Sequence, residues 1–172
     1  MLKECKRNGI LTKEVLASIP GYHMDEIKAA GRPVVMIECA ENIPCNPCET
    51  SCPQGAITVG DPITNLPSVN VDKCIGCGMC VAVCPGLAIF LANSKFTETR
   101  ASLTFAYEFL PVPQKGDTVK AVNREGKVVC DAVVEKVVTA KAYDMTNVMT
   151  ISFPAEYLEE VRGIQRLGKG GN

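Results

Sequence analysis

The chain has 172 residues, ten cysteines and a formal net charge of −1. This length allows one or two small domains, and a near-neutral charge argues against a protein dedicated to binding nucleic acid. Because the amino terminus is charged and no run approaches the length of a membrane span, we expect a cytoplasmic protein without membrane insertion, in which the cysteines bind metal rather than form a secreted disulfide framework.

A helical arm is predicted for residues 1–32. Residues 11–19 are predicted to form a short helix with Thr12 as its N-cap, and residues 24–30 a second helix that ends at Gly31. Helices of this length are not stable alone in water. We therefore expect the arm to pack on the rest of the chain or on another subunit.

A first cysteine run follows a predicted strand, Val34–Ile37. Its spacing is C-x5-C-x2-C-x3-C-P, and its members are Cys39, Cys45, Cys48 and Cys52. The five residues between Cys39 and Cys45 leave open whether Cys39 is a metal ligand. If it does not bind, the first cluster has three cysteines and is a 3Fe–4S cluster or carries a non-cysteine ligand.

A second cysteine run has the spacing C-x2-C-x2-C-x3-C-P, and its members are Cys74, Cys77, Cys80 and Cys84. Thiolate is the soft ligand that iron–sulfur clusters select, and Gly76 and Gly78 allow the backbone to approach an inorganic core closely. Zinc sites usually pair two C-x2-C knuckles at a distance, so three cysteines in one run favour iron–sulfur. Cys5 and Cys130 lie apart from both runs and are predicted to be a bystander thiol and a core residue.

Residues 33–92 resemble bacterial-type ferredoxins that bind two 4Fe–4S clusters, because both runs end in C-x2-C-x3-C-P and repeat at a spacing of about thirty residues. In that family the fourth cysteine of each run serves the other cluster. The resemblance therefore implies a first cluster held by Cys39, Cys45, Cys48 and Cys84. It implies a second cluster held by Cys52, Cys74, Cys77 and Cys80.

After a polar linker at residues 93–100, residues 101–163 have the alternating, valine-rich pattern of β-strands. We expect a small antiparallel β-barrel or sandwich that serves in docking, closed by a helix at residues 155–162. Residues 164–172 are predicted to be a flexible tail. The fold class is α+β: a helical arm, a ferredoxin-like two-cluster unit and this β-rich module.

The segment from Pro33 to Asp72 contains five acidic residues and no lysine or arginine. Because a cluster with four thiolates adds further negative charge, we expect an anionic face that suits a basic docking surface. The alternative is an ordinary solvated acidic surface.

The sequence predicts electron transfer without substrate chemistry, because no G-x-G-x-x-G follows a strand to bind a flavin or nicotinamide. Three sequence segments resemble the small iron–sulfur subunits of FAD-dependent amino-acid or amine dehydrogenases of anaerobes: residues 37–49, 123–126 and 160–164. These relatives are similar to the proline, hydroxyproline and sarcosine or glycine dehydrogenase group. That resemblance implies partner subunits that carry FAD and exchange electrons with this chain.

Two other hypotheses remain open. The chain could be a free-standing soluble ferredoxin with appended segments, or a regulator that senses redox state through loss of its cluster. The second of these is disfavoured because the sequence shows neither a DNA-binding element nor a basic patch.

Overall fold

A computed structural model describes residues 9–168, so Cys5 and the outer ends of the predicted arm and tail lie outside this range. The α-helices are α1 (Lys13–Ala17), α2 (Met24–Ala30), α3 (Pro47–Thr50) and α4 (Met79–Val83). The strands are β1 (Val34–Ile37), β2 (Ile57–Thr58), β3 (Ser68–Val69), β4 (Ile89–Asn93), β5 (Arg100–Tyr107), β6 (Thr118–Val122), β7 (Val128–Thr139), β8 (Asn147–Pro154) and β9 (Gly163–Ile164). Short 3-10 helices follow at Lys141–Tyr143 and Ala155–Tyr157. Within residues 9–168, each helix is too short or too polar to cross a membrane.

Seven strands form one antiparallel sheet in the order β1-β4-β5-β8-β7-β6-β9. Strands β1 and β4, which flank the two cysteine runs, therefore belong to the same sheet as the strands of the C-terminal half. Strands β2 and β3 form a separate hairpin that links the runs. The predicted division between residues 92 and 101 stays a prediction, and the β4–β5 pairing crosses it.

The predicted barrel or sandwich is wrong, because the seven strands form an open sheet whose edges are β1 and β9. The alternating pattern of β5 identifies a strand but does not specify its partners, and here they are β4 and β8. The predicted helix at residues 155–162 is also wrong. After a single 3-10 turn the chain folds back, which buries Val161 and allows Gly163–Ile164 to pair with β6. Ile164, predicted to begin the tail, is thus part of the sheet.

The arm helices are confirmed. Thr12 accepts a hydrogen bond from the backbone N–H of Val15, and Gly31 ends α2 in the left-handed conformation with φ of 60°. Ile27 of α2 is fully buried in the main core, whereas α1 forms a smaller cluster around Leu16. Burial of these faces supplies the stability that such short helices lack alone.

An ionic triad in which Glu38 and Arg162 are buried and Arg124 is partly buried connects the segment before the first cysteine to the C-terminal half. The side chain of Arg124 donates to both carboxylate oxygens of Glu38, at 2.9 Å and 2.5 Å, and Nε of Arg162 donates to Oε1 at 2.6 Å. Arg162 also donates to the carbonyl of Leu158 and lies over the ring of Phe90, 5.8 Å from its centroid. Burial alone would raise the pKa of Glu38, but the two guanidinium groups overcome that effect and hold the pKa below its usual value. The carboxylate is therefore charged and paired on both sides.

We expect Arg162→Met to lower the free energy of unfolding by about 3–5 kcal/mol, because it leaves a buried carboxylate with one partner fewer. Lys120→Met, which removes one side of the exposed Lys120–Asp131 pair, is the matched control and should cost less than about 1 kcal/mol. Urea denaturation under anaerobic conditions measures both. Equal small losses for the two variants would show that the triad does not hold the halves together.

Candidate metal-cluster sites

The structure gathers the eight cysteines of the two runs around two cavities. One cavity is lined by Cys39, Cys45, Cys48 and Cys84. The other is lined by Cys52, Cys74, Cys77 and Cys80. All eight are free thiols. This is the same grouping that the ferredoxin resemblance implied, and Cys39 belongs to it. Binding of clusters by these thiols stays a prediction.

The first cavity is built by the end of β1, helix α3 and the end of α4. Cys39 lies two residues after Ile37, the last residue of β1, and Cys48 lies on α3, whose first position is Pro47. The carboxylate of Glu49 accepts hydrogen bonds from the backbone N–H groups of residues 59 and 60, and so fixes the chain after the first run. Cys84 leaves α4 in an extended conformation, which directs it to this cavity rather than to the one that serves its own run.

The second cavity is built by the loop of the second run and by the start of β1. Backbone N–H groups donate to two of its sulfurs, from Val35 to Cys74 at 3.4 Å and from Ala56 to Cys52 at 3.3 Å. Gly76 has φ of 66°, and a Cβ there would lie 2.7 Å from the carbonyl oxygen of Pro33. Only glycine fits this close approach of the loop to the chain before β1.

Two residues outside the cysteine runs hold the second loop. Arg32 donates to the carbonyl oxygens of Cys74, at 2.5 Å, and Val71, at 2.8 Å. Tyr143, from the C-terminal half, donates its hydroxyl to the carbonyl oxygen of Cys77 at 2.9 Å. The spacing of the sequence contains no signal for either contact, because each joins residues that are far apart in the chain.

Burial raises the pKa of the Cys48 thiol to about 11 and that of Cys80 to about 12, and neighbouring cysteines of the same set add to the effect. Burial likewise raises the pKa of Cys39. These thiols are protonated at neutral pH, so a metal group that binds them as thiolates must displace their protons.

The donor set of each cavity fits an iron–sulfur cluster, since it consists of four thiols with backbone N–H groups directed at sulfur in the second. Across residues 9–168, no three His, Cys, Asp or Glu side chains form a close group of the kind that holds a single metal ion. The cavities differ in size, about 380 Å³ for the first and about 20 Å³ for the second.

The acidic segment is less uniformly exposed than the sequence suggested. Glu38 lines the first cavity but is buried and paired with Arg124 and Arg162, so it adds no charge to a docking face. Glu41, which also lines this cavity, is exposed. Cys130 is partly buried on β7 and lines neither cavity, as expected for a thiol that is not a ligand.

The comparison with protein-family models identifies the second run. The family model described as a 4Fe–4S binding domain matches residues 67–90, which include Cys74, Cys77, Cys80 and Cys84. The chain therefore contains a ferredoxin-type 4Fe–4S domain. The first run lies outside the matched residues, so the number of clusters is not fixed by this match.

Similar proteins include ferredoxins and components of oxidoreductases. An uncharacterized ferredoxin of Methanocaldococcus jannaschii is 42% identical over 66 residues, 38% of this chain and 39% of the relative. The polyferredoxin-like subunit of aliphatic sulfonate oxidoreductase of Pyrococcus furiosus is 43% identical over 54 residues, 31% of this chain and 28% of the relative. A subunit of an ion-translocating oxidoreductase complex of Methanosarcina acetivorans is 47% identical over 49 residues, 28% of this chain and 17% of the relative. The chain spans about two fifths or less of the length of these relatives, and no solved structure matches it.

We expect Gly76→Ala to impair the second site, because a left-handed conformation costs a non-glycine residue about 1–2 kcal/mol and the new methyl group would meet the Pro33 carbonyl. Iron content and thermal unfolding of the anaerobically prepared chain should both fall. Gly86→Ala, beside the first site, is the control, since nothing lies within 4 Å of a Cβ at that position. Normal iron content and stability in Gly76→Ala would contradict the proposed constraint on the loop.

Proposed function

We propose that this chain is an electron-transfer subunit that relays single electrons through two 4Fe–4S clusters. The observation that carries the proposal is the separation of eight free cysteines into two sets of four, each around its own cavity. In this proposal the first cluster is bound by Cys39, Cys45, Cys48 and Cys84, and the second by Cys52, Cys74, Cys77 and Cys80.

A 4Fe–4S cluster with four thiolate ligands exchanges one electron at a time, and its surroundings set the potential. The residues of this chain supply those surroundings. The N–H groups of Val35 and Ala56 point at thiol sulfurs of the second site, where they favour added negative charge. Helix α4 connects the two sites, because Cys80 lies on it and Cys84 directly follows it. In this proposal the short helix keeps the two clusters close to each other, as a relay requires.

The partners in this proposal are FAD-containing dehydrogenase subunits in a hetero-oligomer. The names of two relatives describe subunits of oxidoreductase complexes, which supports a subunit role for this chain. The sequence offers no flavin-binding or nicotinamide-binding motif of its own, so the two-electron chemistry belongs to another polypeptide. The free thiols and the absence of disulfides among the described cysteines suit a reducing compartment, and we propose the cytoplasm.

Anaerobically prepared protein should contain about eight iron and about eight sulfide ions per chain, and Cys39→Ala should reduce the iron to between about four and about seven. The reason is that the first cluster loses one of four ligands, which removes the cluster or leaves a 3Fe–4S form. Iron analysis with electron paramagnetic resonance of the reduced and oxidised protein measures this.

Cys130→Ala is the matched control for Cys39→Ala and should retain full iron, because Cys130 lines neither cavity. Two unchanged 4Fe–4S signals in Cys39→Ala would show that Cys39 is not a ligand. Colourless protein, or zinc in place of iron, would overturn the proposed function itself.

Affinity purification of the tagged chain from its native cells should recover partner polypeptides with a flavin absorption spectrum. Added dehydrogenase substrate should then reduce the clusters, since electrons pass from the flavin to the iron–sulfur sites. A cluster-loaded chain that purifies alone, and that exchanges electrons with several unrelated enzymes in a strongly salt-dependent manner, would instead support the free-standing ferredoxin.

A further inference from the structure

The long β7–β8 hairpin ends on the loop of the second site. Strand β7 has 12 residues, and the 3-10 helix Lys141–Tyr143 lies at the tip between β7 and β8. The hydroxyl of Tyr143 donates to the carbonyl oxygen of Cys77 at 2.9 Å. It also faces Gly78, since a Cβ at that glycine would lie 3.4 Å from the same hydroxyl oxygen. One side chain from the hairpin tip thus contacts the middle of the second cysteine run.

The backbone of this tip is held in an uncommon conformation. Asp144 and Met145 are consecutive non-glycine residues with positive φ, 47° and 65°. The N–H groups of residues 143–146 all donate to backbone carbonyls of the same turn, and Thr139 donates to Asn147 across its base at 2.5 Å. Residues keep such a strained backbone conformation only where the surrounding contacts hold it in place. The turn therefore presents Tyr143 in a fixed position.

The loop that Tyr143 contacts is partly exposed to solvent. Among the eight cysteines of the two cavities, Cys77 alone is exposed, and neighbouring Ile75 is 61% exposed. Gly78 is buried, and its carbonyl accepts hydrogen bonds from the N–H groups of residues 81 and 82. The exposed side chains of Ile75 and Cys77 add little packing to this segment, so its hydrogen bonds help to determine how often it opens. The Tyr143 hydroxyl supplies one such bond to the carbonyl of Cys77 itself.

We propose that Tyr143 is a positioning residue that fastens the Cys77–Gly78 segment over the second cluster and thereby limits access of water and oxidants to it. This inference rests on the proposed function, because it assumes that the second set of thiols holds a cluster. The bond involves the carbonyl of Cys77, so the thiol remains free to bind iron. The C-terminal half of the chain then has a role at the metal site in addition to any role in docking.

The test compares Tyr143→Phe with Tyr107→Phe in the full chain, loaded with clusters under anaerobic conditions and then exposed to air. Both variants remove a hydroxyl that donates to a backbone carbonyl, but the Tyr107 hydroxyl donates to Pro111, at 3.5 Å, and so to no residue of the cysteine runs. Proton NMR of the contact-shifted cysteine signals follows each cluster separately. Loss of a net hydrogen bond should raise the open population of the segment, so the second cluster of Tyr143→Phe should disappear about fivefold faster. The first cluster, and both clusters of Tyr107→Phe, should decay as in the parent chain.

Three further readouts separate positioning from general stability. In Tyr143→Phe the amide hydrogens of residues 76–79 should exchange faster, the reduction potential of the second cluster should shift, and the unfolding midpoint should stay close to that of Tyr107→Phe. Tyr143→Ala, which also removes the ring, should accelerate the loss more than Tyr143→Phe.

Unchanged decay of the second cluster in Tyr143→Phe would overturn the inference, as would equal acceleration of both clusters. A parent chain that contains no second cluster would overturn the proposed function instead, so the two failures are distinguishable.

Discussion

The interaction on which the rest of the structure depends is the pairing of one buried carboxylate, Glu38, with two guanidinium groups. Burial opposes ionisation of Glu38, and Arg124 and Arg162 together overcome that effect and hold its pKa below the usual value. Ile37 ends β1, Glu38 forms the triad and Cys39 lines the first cavity, so three consecutive residues join the sheet, the ion pairs and the metal site. A displacement of the triad would therefore also move Cys39, the next residue in the chain.

The open sheet extends this connection to the second site. Strands β1 and β4 frame the cysteine runs, β5 and β8 continue the sheet, and β7 and β8 carry Tyr143 back to the loop that contains Cys77. The two sites thus depend on the C-terminal half in different ways. The first site is supported by the ion pairs of buried Glu38. The loop of the second site accepts a hydrogen bond from the hydroxyl of Tyr143.

The parts that the sequence predicts well are those encoded by local spacing. The arm helices, with Thr12 and Gly31 at their ends, follow from capping preferences. The grouping of the eight cysteines around two cavities is the one that the resemblance to two-cluster ferredoxins implied. The open sheet, the triad and the Tyr143 contact could not be predicted in this way. Glu38 is separated from Arg124 by 86 residues and from Arg162 by 124, and an alternating strand pattern does not specify which strand is its neighbour. The helix expected at residues 155–162 failed for a related reason, since burial of Val161 and pairing of β9 with β6 outweigh helical periodicity.

Strand β1 lies at one edge of the sheet, yet three of its outward-facing backbone groups already have partners. The N–H of Val35 donates to the sulfur of Cys74, its carbonyl pairs with the ring of His23, and the N–H of Ile37 donates to the carbonyl of Gly21. Unpaired groups at such an edge are what another polypeptide uses when it adds a strand. A protein that approaches the metal sites from this side must therefore recognise side chains and surface shape, and the same blocked edge protects the chain from self-association through its backbone.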